Sequence, residues 1–418
     1  MRNGVIFLLL FGLAAPVAAQ IGVPPLGGTL GPAVGRIGNT LGDIVDHATD
    51  IDAVEPVRSA ARLAQDRLAR LTDFVQARRD AVEMDDSGQP ARRGVVLLLD
   101  PDPATLASAK ALGFDNGGIE RLDSLGIAAA ELRVPQGMSL RQALEQLRKA
   151  LPDATVTADQ LHFPGGATAS GAARTKAPMS KSHPAIGATV GVIDGGVASA
   201  VPVSRQQGLA KGAPTASDHG TAVASLLRYA GVTHIVVADV YGRDPAGGDA
   251  LAIARAMNWM AAQKVPVISI SLVGPRNPLI ERAVSALSAR GVTVVAAVGN
   301  DGPAAPPAYP ASYPTVIAVS AVDGRNRALI EAGRALHLDY TAPGADIAAA
   351  DGKGRMRAVR GTSFAVPLVA ARIAAQLDRG KNGRALQAAL DAEARDLGRK
   401  GPDFRYGRGL LCDDCRPR

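Results

Sequence analysis

The stretch TVGVID at residues 189–194 is the first of several short apolar runs that decide the fold. The later runs are HIVVADV (234–240), VPVISISL (265–272), VTVVAAVG (292–299) and TVIAVSAV (315–322). Helical patterns accompany these runs at 219–230, 249–263, 278–290 and 363–377. Strands that are apolar on both faces and alternate with helices are typical of a parallel sheet covered on both sides. The sequence therefore predicts an α/β fold, a three-layer sandwich around a mostly parallel central sheet.

The net charge of the chain is +7 and its pI is near 9.6, values that would suit an anionic partner. The Lys and Arg residues are scattered rather than clustered, and aromatic residues make up only 3% of the chain. Nucleic-acid binding normally needs a basic patch, often with aromatic side chains among the basic ones. We therefore interpret the charge as a solvated surface and expect no nucleic-acid partner.

The N-terminal residues 1–19 have the pattern of a secretory signal peptide. Arg2 precedes an apolar run at 5–15, and the small residues Val17 and Ala19 stand where cleavage before Gln20 would need them. The run is shorter than the roughly 20 residues of a membrane-spanning helix. We expect an exported protein, periplasmic or secreted, without stable membrane insertion once the signal is removed.

The region before residue 189 divides into three further segments. Residues 20–90 begin as a Gly- and Pro-rich linker and continue into an amphipathic helix, predicted over 56–82. Residues 91–165 show the order βαββαβ, which fits a compact ferredoxin-like unit. Residues 166–188 are rich in Gly, Ala, Ser and Pro, and so predict a linker open to proteolysis.

Two cysteines, Cys412 and Cys415, stand in the C-terminal segment 412–418. In an oxidising compartment they can form a small local disulfide. The intervening Asp413-Asp414 pair disfavours a redox role, because negative neighbours do not lower a thiol pKa. We predict a structural or tail role.

Three polar residues stand at strand ends or helix starts in this order: Asp194, His219 and Ser363. Singly, each has an ordinary structural explanation. Asp194 suits a turn before Gly195, His219 suits a partly buried histidine, and Ser363 suits a helix cap.

Together the three residues have the types that an activated serine nucleophile needs. A hydroxyl requires a base within hydrogen-bond reach and a carboxylate that orients the base. Asn300, at the end of the run VAAVGN, would supply a side-chain donor for an oxyanion. Gly220 and Gly361 leave room for close approach of backbone or substrate.

The blocks around Asp194, HGTAVASL at 219–226, AAVGNDG at 296–302 and GTSFAVP at 361–367 resemble the signature blocks of the subtilisin-like serine proteases, peptidase family S8. The resemblance covers about residues 189–411. It implies that Asp194 orients His219, that His219 is the general base, and that Ser363 is the nucleophile. It also implies an oxyanion hole made by the Asn300 amide and the Ser363 N–H, with no cofactor.

The resemblance further implies a substrate-binding edge at 271–274, which consists of Ser271, Leu272, Val273 and Gly274, with Gly299 and Gly361 nearby. A substrate strand would pair with this backbone by β-augmentation. The family usually has glycine at the position of Val273. We hypothesise that Val273 narrows the pocket for the residue before the scissile bond and favours small side chains there.

Two further departures from the family pattern are Gly195 after the aspartate and Ala222 in the histidine block, and neither removes a catalytic group. The peptidase region has no D-x-D-x-D cluster, so we expect neither a calcium site nor any other metal site.

The 91–165 unit resembles the propeptides of this family, which fold with the enzyme and hold its cleft closed. An unrelated N-terminal binding domain is the alternative. We therefore expect a secreted serine endopeptidase made as a precursor, with protein or peptide substrates and its own propeptide as intramolecular inhibitor. A catalytically silent peptide-binding relative, or an esterase or transpeptidase on the same triad, remains an alternative.

Overall fold

The structure is a computed structural model that describes residues 51–165, 167–168 and 183–417. The predicted signal peptide, residues 1–19, and most of the predicted linker 166–188 lie outside the described residues.

The N-terminal unit begins with a long helix and continues as a sheet with two helices on it. In chain order its elements are α1 (Ile51–Ala77), β1 (Val82–Met84), β2 (Pro90–Leu99), α2 (Pro103–Ala111), β3 (Asp115–Leu122), β4 (Ile127–Arg133), α3 (Leu140–Ala150) and β5 (Thr155–Gln160). All strand pairs in this sheet are antiparallel, and β2 pairs with β1, β4 and β5. Helix α3 starts with a capping box between Ser139 and Gln142, and its leucines pack on the sheet. The ferredoxin-like assignment of this unit stays a prediction.

The helix predicted over 56–82 ends earlier than the sequence pattern indicates. Helix α1 stops at Ala77, and a turn at 78–81 leads into β1. Val82 extends the apolar periodicity in the sequence, but its side chain is buried in a cluster with Leu161 and Ala246. Tertiary packing of Val82 therefore overrides the helical pattern.

Two short strands follow the N-terminal sheet: β6 (Phe163–Pro164) and β7 (Ala167–Thr168). The remaining strands are β8 (Val190–Asp194), β9 (Arg205–Gly208), β10 (Ile235–Asp239), β11 (Val267–Ile270), β12 (Leu272–Val273), β13 (Thr293–Ala297), β14 (Ile317–Val322), β15 (Tyr340–Pro343), β16 (Ile347–Ala350) and β17 (Met356–Arg360). The helices are α4 (Asp218–Tyr229), α5 (Ala250–Ala262), α6 (Pro278–Ala289), α7 (Val366–Asp378) and α8 (Gly383–Glu393).

The central sheet has seven strands in the order β15-β14-β13-β11-β8-β10-β9, and every pair is parallel. This confirms the α/β prediction. The predicted apolar runs form five of these strands. The two edge strands were not predicted, because β9 has the polar sequence RQQG and β15 is the short segment YTAP.

Helices cover both faces of the central sheet. Val190 and Val192 of β8 face a core shared with α4 and α7, while Ile193 faces a core shared with α5 and α6. The second core continues into the N-terminal sheet through Leu97 and Leu99. One face of the N-terminal sheet is thus packed on the two helices that flank the substrate-binding edge.

The C-terminal segment is part of this packing. The Ala348 N–H of β16 donates to Pro417 O at 2.8 Å. Cys412 and Cys415 are joined by a disulfide, and both are buried in the core. The segment therefore has a structural role. This agrees with the structural role that was one of the two predicted for Cys412 and Cys415.

Candidate active site

The polar residues singled out in the sequence lie at the edge of the central sheet where its parallel strands have their carboxyl ends. Asp194 is the last residue of β8, and Asn300 follows β13 by three positions. His219 lies in the first turn of α4, and Ser363 lies in the 3-10 turn 362–364 that leads into α7. In open α/β sheets this edge is where ligands bind.

Asp194 and His219 are in direct contact. His219 Nδ1 lies 3.0 Å from Asp194 Oδ1 and 2.9 Å from Oδ2, and the carboxylate is fully buried. The Gly195 N–H also donates to Asp194 Oδ1, at 2.7 Å. This arrangement favours the tautomer that carries its proton on Nδ1, which leaves Nε2 as the basic nitrogen.

The start of α4 brings the histidine to the aspartate. Ser217 caps the helix, with its Oγ accepting from Gly220 N at 3.0 Å. A Cβ at Gly220 would lie 2.1 Å from the Gly195 carbonyl oxygen. Only glycine at position 220 therefore lets the helix approach the end of β8 this closely.

Ser363 is fully buried, and its hydroxyl donates to the Ser271 carbonyl at 3.1 Å. In turn, Ser271 Oγ donates to the Ser363 carbonyl at 2.8 Å. His219 Nε2 has no hydrogen-bond partner among the described residues, while the rings of His219 and Phe364 are 5.5 Å apart between centroids. His219 thus packs beside the residue that follows Ser363, and no hydrogen bond joins Ser363 to the histidine.

Two donors converge on a single carbonyl oxygen, that of Gly165. The Asn300 Nδ2 donates to it in a very short contact, and the Ser363 N–H donates to it at 3.4 Å. The Asn300 side chain is oriented from the other end, because its Oδ1 accepts from Thr362 N at 3.0 Å. These are the two groups that the sequence predicts for an oxyanion hole.

Residues 161–165, here called the cleft segment, run along the predicted substrate-binding edge. Strand β6 pairs antiparallel with β12, so that Pro164 is opposite Leu272 and Phe163 is opposite Val273. The sequence analysis missed this strand. The signal that could have indicated it is Phe163, a large apolar residue beside a linker of small and polar residues.

The other predicted edge residues also lie at the cleft. Gly274 pairs with Tyr309 by an antiparallel bridge and lies under the His162 ring. Gly299 has a φ of +85° and accepts the Thr362 hydroxyl at 3.1 Å. The Gly361 N–H donates to Gly344 O at 2.9 Å.

An ionic cluster joins the N-terminal unit to the central domain beside the cleft. Arg92 of β2 contacts Asp249 at 2.5 Å, Asp244 at 3.0 Å and Asp159 at 3.5 Å. Burial lowers the pKa of Arg92, but the carboxylates raise it by more, so that the guanidinium stays charged. Burial raises the pKa of Asp159, and the nearby Asp249 raises it further.

Helix α1 lies at the mouth of the site. Arg67 Nε and Arg70 Nη2 contact Asp301, the residue after Asn300, at 3.1 and 2.5 Å. Phe74 stacks edge to face on Phe163, with ring centroids 4.9 Å apart. A cavity of about 650 Å³ remains between this helix, the cleft segment and the loop that carries Asn300.

Among the described residues, one group has metal-ligand types close together: His183, Asp414 and Cys415. The Cys415 sulfur is bonded to Cys412, so this group offers no thiolate. Within the described residues, none of the helices combines the length and the hydropathy that a membrane span needs.

Comparison with known proteins identifies the architecture. Residues 181–409 match the model of the Subtilase family. Subtilisin E of Bacillus subtilis (strain 168) is 31% identical over 299 residues, which cover 65% of this chain and 77% of that protein. The thermophilic serine proteinase of Bacillus sp. (strain AK1) is 35% identical over 157 residues, 37% of this chain and 39% of that protein.

Among solved structures, the chain is similar to fervidolysin from Fervidobacterium pennivorans, described as a keratinolytic enzyme related to subtilisin. The TM-score is 0.65 at 17% identity, and the match covers 80% of this chain and 62% of fervidolysin. At that identity the likeness concerns the fold alone. With the family model spanning more than half of the sequence, the chain belongs to the subtilase family of serine-type endopeptidases.

Proposed function

We propose that the protein hydrolyses peptide bonds through Asp194, His219 and Ser363, with Asn300 and the Ser363 N–H as oxyanion donors. The observation that carries the proposal is the Gly165 carbonyl, held by both of those donors beside the serine. The Asp194–His219 contact supplies an oriented base. Substrates are extended peptides or protein segments, which would pair with β12 as the cleft segment does.

The reaction needs one local movement. The Ser363 hydroxyl has to leave the Ser271 carbonyl and donate to His219 Nε2, which accepts no other hydrogen bond from the described part of the chain. The imidazole then removes the proton as the oxygen attacks, and Asp194 stabilises the imidazolium. The oxyanion is stabilised by donors that already point at its position, which avoids the cost of reorganising them.

We further propose that the chain is made as an exported precursor, with residues 1–19 as signal peptide and the N-terminal unit as prosegment. The cleft segment supports this, because it occupies the position of a substrate and so blocks access to Ser363. Export is consistent with relatives such as the minor extracellular protease Epr of Bacillus subtilis, which is 30% identical over 167 residues, 39% of this chain and 26% of that protein.

The test compares the wild type with Ser363→Ala and with Ser285→Ala, a control serine exposed on α6. A fluorophosphonate should label the matured wild type and Ser285→Ala, but not Ser363→Ala, because only an activated serine reacts. The Ser363→Ala chain should also stay uncut, as read by intact mass. Equal labelling of all three proteins would remove Ser363 as the nucleophile. A wild type without labelling or peptide hydrolysis would indicate a silent, peptide-binding relative.

A further inference from the structure

We infer that the peptide bond after Gly165 is the one cut when the precursor matures, and that Val273 restricts the residue before the scissile bond to glycine. This inference rests on the endopeptidase function proposed above and names the first substrate of that site. It concerns two residues: Gly165, which lies outside the predicted catalytic set, and Val273, which differs from the usual glycine of the family.

The cleft segment is held in a single register up to Gly165. Leu161 forms an antiparallel bridge with Asp249, and the His162 N–H donates to Gly248 O at 2.8 Å. The Gly165 N–H donates to Ser271 O at 3.2 Å. Pro164, which has no N–H, fits this register because the neighbouring residues supply the donors.

Beyond Gly165 the chain leaves the site on the other side of the serine. Residues 167–168 pair antiparallel with Val359 and Arg360, just ahead of the turn that carries Ser363. Strand pairing thus holds this part of the chain on both sides of the point where it passes Ser363. Between these two pairings the Gly165 carbonyl is held by Asn300 Nδ2 and the Ser363 N–H, so we assign the bond after Gly165 as the one cut.

The proposed step is an ordinary acyl transfer. Ser363 Oγ forms a bond to the carbonyl carbon of Gly165 and passes its proton to His219. The C–N bond to Gly166 then breaks, and the new amino group takes that proton. Water hydrolyses the ester, which frees Ser363 and leaves a carboxylate on Gly165.

The space around Gly165 is too narrow for most side chains. A Cβ on Gly165 would lie 3.0 Å from Ser363 Oγ and 3.3 Å from Val273 Cγ2, both inside normal contact distance. A Cβ on Gly299 would lie 3.3 Å from Val273 Cγ1. The Val273 side chain therefore fills the gap between the backbone of residues 271–274 and that of Gly299. A side chain at position 165 would have to pass through this gap.

Past Val273 lies the cavity of about 650 Å³, which Gly299 and Ala305 also line. The space for a larger side chain is thus present, and the valine closes the way into it. We expect the matured enzyme to prefer peptides with glycine before the scissile bond, and removal of the valine side chain to relax that preference.

The first experiment determines the N-terminus of the purified wild type by mass spectrometry and sequencing, beside Ser363→Ala. The expected result is a mature chain that starts at Gly166 and an uncut variant. A different N-terminus with an uncut Ser363→Ala would overturn the assigned bond and leave the proposed endopeptidase standing. Processing of Ser363→Ala at the same bond would instead show that another protease makes the cut, and would overturn self-processing.

The second experiment tests Val273 with Gly165→Leu, Val273→Gly and the double variant. The Gly165→Leu chain should mature at least about 100-fold more slowly than wild type, and adding Val273→Gly should restore most of the rate at the same bond. Matured Val273→Gly should also gain kcat/KM on a Phe-Pro-Leu anilide relative to a Phe-Pro-Gly anilide. Val292→Gly is the matched control, because Val292 is partly buried and lies away from the cleft.

Two outcomes would overturn the role of Val273. One is fast maturation of Gly165→Leu with the valine in place. The other is an unchanged ratio of kcat/KM between the leucine and glycine anilides in Val273→Gly and also in the milder Val273→Ala. A rise in that ratio in Val292→Gly as well would also overturn the role of Val273. It would show that the change in preference comes from a general loosening of the fold.

Discussion

At the residue scale, Asn300 is the side chain with the most specific placement. Its amide nitrogen points at the Gly165 carbonyl while its oxygen is held by Thr362 N at 3.0 Å. We expect Asn300→Ala to lower kcat by about 10²–10³ with little change in KM, because the donor acts mainly on the oxyanion. Peptide-hydrolysis kinetics would measure this, with exposed Asn382→Ala as the control. An unchanged kcat would contradict a role in the oxyanion hole.

Asp194 is predicted to act through the histidine rather than on the substrate. In Asp194→Asn the buried amide can no longer serve as a carboxylate acceptor for His219 Nδ1–H, so the ring loses its oriented tautomer. We expect kcat to fall by about 10⁴. The neighbouring Asp218→Asn is a charge-matched control, since Asp218 is exposed and bonds to Gly352 N at 2.8 Å. Similar losses in both variants would indicate a general effect of negative charge instead.

The residue types at the site were predictable from sequence, because each block follows a recognisable strand or starts a helix. Their roles stay predictions until the variants are measured. The direction of the Ser363 hydroxyl was not predictable, because it depends on what occupies the cleft. The occupant itself was overlooked, since Gly165 carries no side chain and its part in the site is played by a backbone carbonyl.

At the element scale, helix α1 makes contacts beside the active site that the catalytic proposal does not explain. It reaches the loop after Asn300 through Arg67 and Arg70, and it reaches the cleft segment through Phe74. Leu63 lies against Gly302 in the same loop. The helix thus contacts the occupant of the cleft and the rim of the cleft together.

We expect Arg67→Gln to speed the release of the cleaved prosegment, measured as the lag before peptide hydrolysis begins. The pair is partly exposed, so the coupling energy of Arg67 with Asp301 in a double-mutant cycle should be modest, roughly 0.2–1 kcal/mol. The charge-matched control is Arg79→Gln, at an exposed arginine just after the end of α1. If the lag is the same in wild type, Arg67→Gln and Asp301→Asn, α1 does not restrain the prosegment.

The sequence predicts strands and helices best where the spacing of apolar residues matches the faces that are buried. The apolar runs became strands of the parallel sheet because both faces of that sheet are buried. The short strand β6 was missed, because a two-residue strand has no periodicity to detect, whereas its partner β12 lies within the predicted substrate-binding edge. They exist only through their pairing with each other across the cleft.

At the scale of the whole molecule, two buried titratable groups affect how the cleft segment docks: the base His162 and the acid Asp159. Burial lowers the pKa of His162 from its usual value of 6.5 to about 4, and its side chain is fully buried. Its backbone is held by Gly248 O and by the Tyr241 hydroxyl, which donates to His162 O at 2.7 Å. The raised pKa of Asp159 instead favours a proton in the docked state.

These shifts make docking depend on pH in a definite direction. A lowered histidine pKa means that the released segment binds more protons than the docked one between pH 6.5 and about 4. Docking is therefore strongest above pH 6.5, and the histidine alone weakens it by up to roughly 1.4 kcal/mol per pH unit below that value. Asp159 works against this loss, because its docked form binds a proton more readily than its released form.

We therefore expect acid to loosen the cleft segment in the uncut Ser363→Ala chain. The protection factors of the His162 and Gly165 amides against hydrogen exchange should fall between pH 7 and 5, since both N–H groups bond across the cleft. His162→Phe fills the same apolar site without a titratable ring and should flatten the pH dependence. Asp159→Asn removes the opposing group and should steepen it. Equal slopes in the His162→Phe and parent chains would show that another group governs release, whereas an acid loosening that persists only with the histidine present identifies the buried imidazole as the sensitive contact.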